Sequence, residues 1–497
     1  MNPLKELIHI LEQNKSTYLQ SWLFQNNGTN LVKLYYGMLH DTFPDDDAAS
    51  MAFYGKPGAA AFHKLKFDLK TQLYDAIPFI DVKLKNKNDA ETERFRYHNL
   101  LMSFNVLIHL SGDAAAVEMG EYIYENCVKY GFTDLAYIAA KRILGKIGPK
   151  KMAFYSAEVK RLHHLEGIEV EAKMYYDEIL MLYRNDKLSS QELITLAEAK
   201  NASFLQLKGD YSSPAIEIYT YMLELCVHSA KNDAKALFQT ALNGANYFEQ
   251  QPVKYTQALK TYYFYLIVGY TQRKEFDIAA SCIDKCLLCV TEGTTAWLKV
   301  LELAFVSHLH SADYNLATEK WLKATNNTFF KSFPVHIQEK WAIYYAFLHF
   351  IMICGAYTPN EKQKAKLKKD FCLTTFKNSL VFYEKEKSGM NLNVLLIEIL
   401  FLMVEKKYDE LSDRYEAIQK YLQRYLDDSE SRSRIRLIFK MLLLCIKHNF
   451  KKGKIQQAAQ PFLETLEQQT AELGDEAYEL EIIPYETVWA LVLGRLK

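Results

Sequence analysis

The chain has 497 residues, 60 of them basic and 60 acidic, so the formal charge is zero and no global field draws it to nucleic acid or to a membrane. Tyr (34) and Phe (28) are plentiful, while Gly (19) and Pro (11) are scarce, as long helices with short connections require. A chain of this length does not suit a single globular core, whereas an array in which each unit touches only its neighbours has no such ceiling.

The first stretch, MNPLKELIHILEQ, places Glu6, His9 and Glu12 among its apolar residues, which predicts an amphipathic helix and not a secretion signal. Residues 3 to 40 give two or three helices broken at Asn26, Asn27 and Gly28. From Pro44 to Ile77, Asp45 to Asp47 suit a helix N-terminus, and they lack the alternating spacing and glycine of a calcium loop. Gly55, Pro57 and Gly58 form a break, after which Ala61, Phe62, Leu65, Leu69 and Leu73 make one apolar stripe with His63, Lys64, Lys66 and Lys70 off it. Two helices and a tight turn have the outline of a helix-turn-helix, so His63, Lys64, Lys66 and Lys70 are the candidate nucleic-acid contacts. The same outline describes a helical hairpin that caps an array, the favoured reading. The charged segment 81–94 lacks an apolar stripe and is expected to be a linker between an N-terminal helical module (1–94, with the hairpin at 44–77) and a helical-repeat region (95–497).

From residue 95 onward helices follow almost continuously, with candidate breaks at Ser111–Asp113, Gly145–Pro149, Asp186–Ser190, Gly209–Pro214, Gln250–Pro252, Thr291–Thr294, Asn326–Pro334, Tyr357–Asn360, Ser388–Asn391, Asp427–Ser431 and Leu473–Asp475. No stretch alternates strictly as strands do, so the fold class is all-α. One spacing recurs: a turn, a bulky residue, a small residue three on and a bulky one four beyond. It appears as Phe276, Ala279, Ile283 and Cys286, as Tyr314, Ala317, Trp321 and Ala324, and as Ile455, Ala458, Phe462 and Thr465. Looser echoes are Tyr408, Leu411, Tyr415 and Ile418, then Thr133, Ala136, Ala140 and Ile143, and GDYSSPAIEIY with one extra residue before Ala215. A small residue beside a bulky one, repeated, is how paired helices stack closely.

This pattern resembles the tetratricopeptide (TPR) repeat superfamily, whose second helix carries a small residue and, four positions on, an aromatic. Upstream of Phe276 the family's first-helix positions fall on Tyr263, Leu266, Ile267 and Tyr270, and three of the four agree. Upstream of Tyr314 they fall on Leu301, Ala304, Phe305 and His308, a poor match, so the resemblance is strongest from about 255 to 325. It implies a right-handed superhelical solenoid of antiparallel helix pairs. The echoes are unevenly spaced, 38 residues from Phe276 to Tyr314, 94 on to Tyr408 and 47 on to Ile455, so degenerate pairs are expected in the gaps.

Three groups of residues invite chemistry. Cys282, Cys286 and Cys289 have the C-x3-C-x2-C spacing of an iron–sulfur loop, but they lie on one predicted helix at i, i+4 and i+7 and are expected to share its buried face. His308 and His310 stand two apart on a helix, hence on different faces, which does not suit a shared zinc ion. The basic runs at Lys362–Lys369 and at Lys451, Lys452 and Lys454 are expected to be solvated faces, and as local patches they are candidates for acidic partners. The longest apolar run, Trp341–Cys354, has 14 residues and contains His349, short of the roughly 18 to 20 that span a bilayer. The eight Cys are scattered without a disulfide spacing, and a cytoplasmic protein without a membrane partner is expected.

No nucleophile, phosphate-loop or HExxH motif is present, so the expectation is a non-enzymatic scaffold without cofactor or metal. Its concave face would hold a peptide or helix of another protein on Tyr, Asn and Lys side chains. The alternative is a bacterial TPR-type regulator whose N-terminal module contacts nucleic acid; an enzyme is third.

Overall fold

The computed structural model describes residues 2–14, 17–80, 89–110, 112–183, 189–367, 371–380, 390–425, 433–469 and 481–496, and its regular elements are helices. Two compact units divide the chain, Met1–Lys160 and Arg161–Lys497. The expected breaks at Asp427–Ser431 and Leu473–Asp475, and residues 81–88 of the expected linker, lie largely or wholly outside the described residues.

The first unit opens with α1 (Asn2–Gln13), α2 (Thr17–Gln25), α3 (Asn30–Leu39), α4 (Asp46–Tyr54) and α5 (Ala60–Ala76). α5 is the central helix, packing on the other four through Phe62, Leu65, Leu69, Leu73 and Ala76, while Ala61, expected on this stripe, is exposed. Asp45 caps α4 by accepting from the Ala48 amide (2.7 Å), with Asp46 and Asp47 in the first turn, where carboxylates suit the helix dipole. Gly55 ends α4 at φ 72°. The fully buried Ser50 then fixes the turn, donating to Lys56 O (2.8 Å) and accepting from Ala59 N (3.0 Å).

The expected linker ends sooner than its charge suggested. Asp89 accepts from the Glu91 amide (3.1 Å) and starts α6 (Ala90–His109), so Ala90 to Arg94 are helical, with Glu91 and Glu93 in the first turn. α7 (Asp113–Tyr130) and α8 (Thr133–Ile143) follow as a close pair, and α9 (Pro149–Tyr183) begins where the break at Pro149 ends. Thr133, Ala136, Ala140 and Ile143 are all buried, as their spacing predicts. The close approach on the α7 side is at Gly120, where a Cβ would collide with Ile143 and Phe104.

The second unit continues with α10 (Ser190–Lys208), α11 (Pro214–Ala230), α12 (Ala234–Glu249), α13 (Thr256–Gln272), α14 (Phe276–Leu287), α15 (Thr295–His310), α16 (Tyr314–Thr325) and α17 (Val335–Ile353). Then come the short α18 (Glu361–Lys364) and α19 (Leu373–Asn378), α20 (Met390–Val404), α21 (Tyr408–Asp413), α22 (Tyr415–Tyr425), α23 (Ser433–Lys447), α24 (Lys452–Gln468) and α25 (Tyr485–Arg495). Each helix packs chiefly on its chain neighbours, and α13 also touches α15, so first helices line up beside one another. In the long gap after α16, α17 packs directly on α20, and only the short α18 and α19 stand where a second helix would, a degenerate pair of the kind the uneven spacing predicts.

The connection inside the pairs is one repeated turn, with a left-handed residue flanked by one residue on each side. That residue is Asn232 (φ 53°) between α11 and α12, Lys274 (φ 61°) between α13 and α14, Ala312 (φ 58°) between α15 and α16, and Lys406 (φ 57°) between α20 and α21. In the first, second and fourth the next amide reaches back to a carbonyl of the last turn, Asp233 N to His228 O (3.0 Å), Glu275 N to Tyr270 O (2.9 Å) and Lys407 N to Leu402 O (2.9 Å). This satisfies helix-end carbonyls that would otherwise be orphaned.

Candidate functional site

On α5 the candidate nucleic-acid contacts do not act alike. His63, Lys64 and Lys70 are exposed, whereas Lys66 is half-buried and held by Asp46 Oδ2 at 2.6 Å. Phe67 (68% exposed) and Tyr74 (51%) share the open side, and the Lys70 ammonium stands 5.3 Å from the Tyr74 ring centroid. Asp47 and Asp75 are exposed nearby in the chain, so the face is aromatic and of mixed charge.

The repeat positions differ in burial. Tyr263, Leu266, Ala279, Ile283, Ala317 and Ala324 are buried, while Tyr270, Phe276 and Tyr314 are half-buried at helix ends. Tyr263 donates to Glu249 Oε1 (2.6 Å), which also takes Lys285 Nζ (2.7 Å). Burial pushes the Glu249 carboxyl up, but those two hydrogen bonds outweigh it and hold it below its ordinary value. Trp321 is half-buried, with its Nε1 donating to Trp341 O (3.0 Å) and its ring 4.7 Å from that of Tyr345. In α24 the register is one residue off: Ala459 is buried at the close approach, Ala458 and Phe462 are half-buried and Thr465 is exposed. Two other expected echoes also differ, since Ala215 lies in the first turn of α11, the first helix of its pair, and the Tyr408–Ile418 stretch is split at Arg414 into α21 and α22.

Cys282 and Cys286 lie in the core shared by α11 to α15, with Cys289 packed at its edge. Burial pushes the Cys282 thiol up to about 11 and that of Cys286 higher, so both are protonated small hydrophobes at neutral pH. Among the described residues no cluster of His, Cys, Asp and Glu has the arrangement of a metal site.

The first helices do not leave an open face throughout. α15, α17 and α20 are buried around nearly their whole circumference, and one apolar core runs from Trp297 to Leu496. A helix that is apolar all round has to be covered on every side. Part of this cover is residues 481–496: α25 packs on α20, α23 and α24, Arg495 donates to Ile353 O at the end of α17, and His310 Nε2 at the end of α15 lies 2.6 Å from Glu481 O. Since a carbonyl only accepts, that nitrogen carries the proton, and burial holds the imidazole below its ordinary pKa.

Arg434 fastens this segment. It is 2% exposed, with Nε and Nη2 on the two carboxylate oxygens of the fully buried Glu481 (2.8 Å each), Nη2 on Glu486 (2.8 Å), and Nη1 on the carbonyls of Leu466 and Gln469. The planar guanidinium meets a carboxylate with two parallel bonds, which fixes direction as well as distance. Arg434 and Arg436 in SRIRLIF, and Glu481 directly before Ile482–Ile483, are the sequence signals for it: charges set among apolar residues.

A cavity of about 650 Å³ lies between α19, α20 and α22. Leu380, Val394, Leu395 and Ile418 give it an apolar floor, with Tyr421 and Asn391 also on its lining. One wall carries Glu398, held by Lys377 (2.7 Å) and by Arg414, whose other nitrogen pairs with Glu410 (2.7 Å), so this wall is neutral and locked. Such a groove offers apolar burial and amide hydrogen bonds, the two means by which a surface holds a segment of another chain.

Comparison with protein-family models, with curated proteins and with solved structures finds no match to this chain. Among the described residues no helix is long and apolar enough to cross a membrane.

Proposed function

We propose that this chain is a non-enzymatic scaffold or adaptor of the TPR-like type, a right-handed array of helix pairs that binds a segment of another protein. The observation that carries this reading is the groove between α19, α20 and α22, which is apolar at its floor, edged by amides, and within the roughly 300 to 1,000 Å³ that binding pockets occupy. Repeated pairs joined by one turn type support it, because such arrays present rigid grooves between helices. The groove is preferred to a concave face as the place for a partner because residues 481–496 pack on α20 and reach the ends of α15 and α17. Eight free cysteines suit a cytoplasmic location.

The test compares proteins recovered with the wild-type chain and with a Val394→Glu/Tyr421→Ala variant shown by circular dichroism to be folded. A partner recovered reproducibly with the wild type and lost with the variant supports the reading; identical recovery refutes the groove.

A second reading, the nucleic-acid-binding regulator, is favoured by the exposed His63, Lys64 and Lys70 beside Phe67 and Tyr74, since stacking and cations together hold single strands. Salt-sensitive oligonucleotide binding that is lost in Lys64→Glu/Lys70→Glu would place it first; no binding removes it.

A further inference from the structure

The basic run that begins at Lys362 is folded back over α16. Tyr357 packs on Tyr314 with ring centroids 6.0 Å apart, and its hydroxyl donates to Gln363 Oε1 (2.8 Å). Gln363, only 3% exposed, in turn donates to Asn315 Oδ1 (2.8 Å), while Asn360 and Gln363 cap each other reciprocally at the start of α18. The segment is thus fastened at its middle, and a cleft of about 410 Å³ remains between it and α16.

Lys362 and Lys366 line one wall of that cleft and Lys323 of α16 the other. Lys364, between the first two, pairs with Glu361 (2.9 Å), but Lys323, Lys362 and Lys366 make no ion pair with any described carboxylate. Two carboxylates also line the cleft, Glu319 and Glu292, and Glu292 is engaged by the Asn327 amide (3.0 Å). Lys323 also stands 6.0 Å from the Trp297 ring centroid; three lysines against two carboxylates leave the lining with an excess of one positive charge, which an anionic occupant neutralises.

We propose that this cleft docks an acidic peptide segment of a partner protein, with Lys323, Lys362 and Lys366 taking its carboxylates; the proposal rests on the partner-binding reading above and adds the chemistry of the partner. A peptide fits better than a nucleic acid for a stated reason. Glu292 and Glu319 share the lining, and a backbone with a phosphate about every 3.4 Å along each strand would be forced against them, whereas a peptide can set a polar or basic side chain there.

The test uses the full chain and a fluorescein-labelled hexaglutamate peptide, followed by fluorescence anisotropy. Expected is saturable binding that weakens as salt rises and falls at least about tenfold in Lys362→Gln/Lys366→Gln, with Lys64→Gln/Lys70→Gln as a control that leaves it unchanged. Any of three results overturns the proposal: no saturable binding, equal weakening by both pairs of substitutions, or tighter binding of an oligothymidylate of equal charge that the cleft substitutions abolish. A dimer that becomes monomeric in Lys362→Gln/Lys366→Gln would make the occupant a second copy and overturn it as well. Because hexaglutamate reads the cleft alone, its failure leaves the groove between α19, α20 and α22, and the partner test made there, untouched.

Discussion

Removing the Arg434 guanidinium should loosen the end of the second unit more than any other single truncation in it. In Arg434→Met, Glu481 remains fully buried and keeps the Tyr485 amide (2.9 Å) but loses both guanidinium bonds, Glu486 loses its bonds to Nη2, and the Leu466 and Gln469 carbonyls lose theirs to Nη1. Breaking a buried pair from one side costs about 3 to 5 kcal/mol, because an uncompensated charge is left in the interior. Replacing both partners, as in Arg434→Met/Glu481→Leu, removes that charge and should recover a good part of the loss, though the Leu466 and Gln469 carbonyls still lose their bonds to Nη1.

A chain of two compact units will not unfold in one step, so hydrogen exchange is the better assay than a single melting curve. Amides of α23 and α25 should exchange faster by a factor of roughly 100 to 5,000 in Arg434→Met, the equivalent of that energy range, with the double variant in between. Unchanged exchange in α25, or a double variant worse than the single, would refute the idea that Arg434 acts by neutralising Glu481.

Further predictions concern packing and pH. A Cβ at Gly244 would stand 2.9 Å from the Tyr262 ring, and one at Gly269 would collide with Phe238, so Gly244→Ala and Gly269→Ala should each cost about 1 to 3 kcal/mol in urea unfolding despite the better helix propensity of Ala. Tyr262→Phe should do the opposite and stabilise by about 1 kcal/mol, because that hydroxyl is buried without a hydrogen-bond partner among the described atoms. Trp321→Ala should cost about 2 kcal/mol, less than a fully buried Trp, since the ring is half-buried.

Acid should destabilise the second unit in two windows. Burial holds His308 and His310 below their ordinary pKa, so the unfolded chain binds more protons and stability falls as pH drops from about 6.5. Burial pushes the Glu302 carboxyl up, but Lys299 and Lys340 outweigh it and hold it low, so its contribution is lost only below about pH 4.3. Thermal melts at pH 7.5 and 5.5 should therefore differ, with a smaller difference in His310→Gln; a higher melting temperature at pH 5.5 would contradict this.

Helix positions were largely legible in the sequence because they depend on local spacing. Ala136, Ala140, Ala279 and Ala317 are buried where three- and four-residue steps put them. The turn at Asn232 was not legible, because residues 231–233 contain no glycine or proline and take a left-handed residue that the packed helices impose, whereas those at Ala312 and Lys406 showed only through the spacing that follows them. In α24 the choice between Ala458 and Ala459 depended on the direction of the facing helix, and spacing alone does not carry that. The C-terminal cover was hidden for a similar reason: the fourteen-residue run Trp341–Cys354 announces a helix buried on all sides, but not that residues 481–496 would help bury it. The groove between α19, α20 and α22 combines residues from Lys377 to Tyr421 and has no motif of its own.

The most direct test of the scaffold reading is photo-crosslinking in living cells, with benzoylphenylalanine placed at Val394 in the groove floor and, as a reference, at Lys64 on α5. The account predicts a discrete protein adduct from Val394, identifiable by mass spectrometry and absent from Lys64. Adducts from neither position, or a nucleic-acid adduct from Lys64 alone, would contradict it.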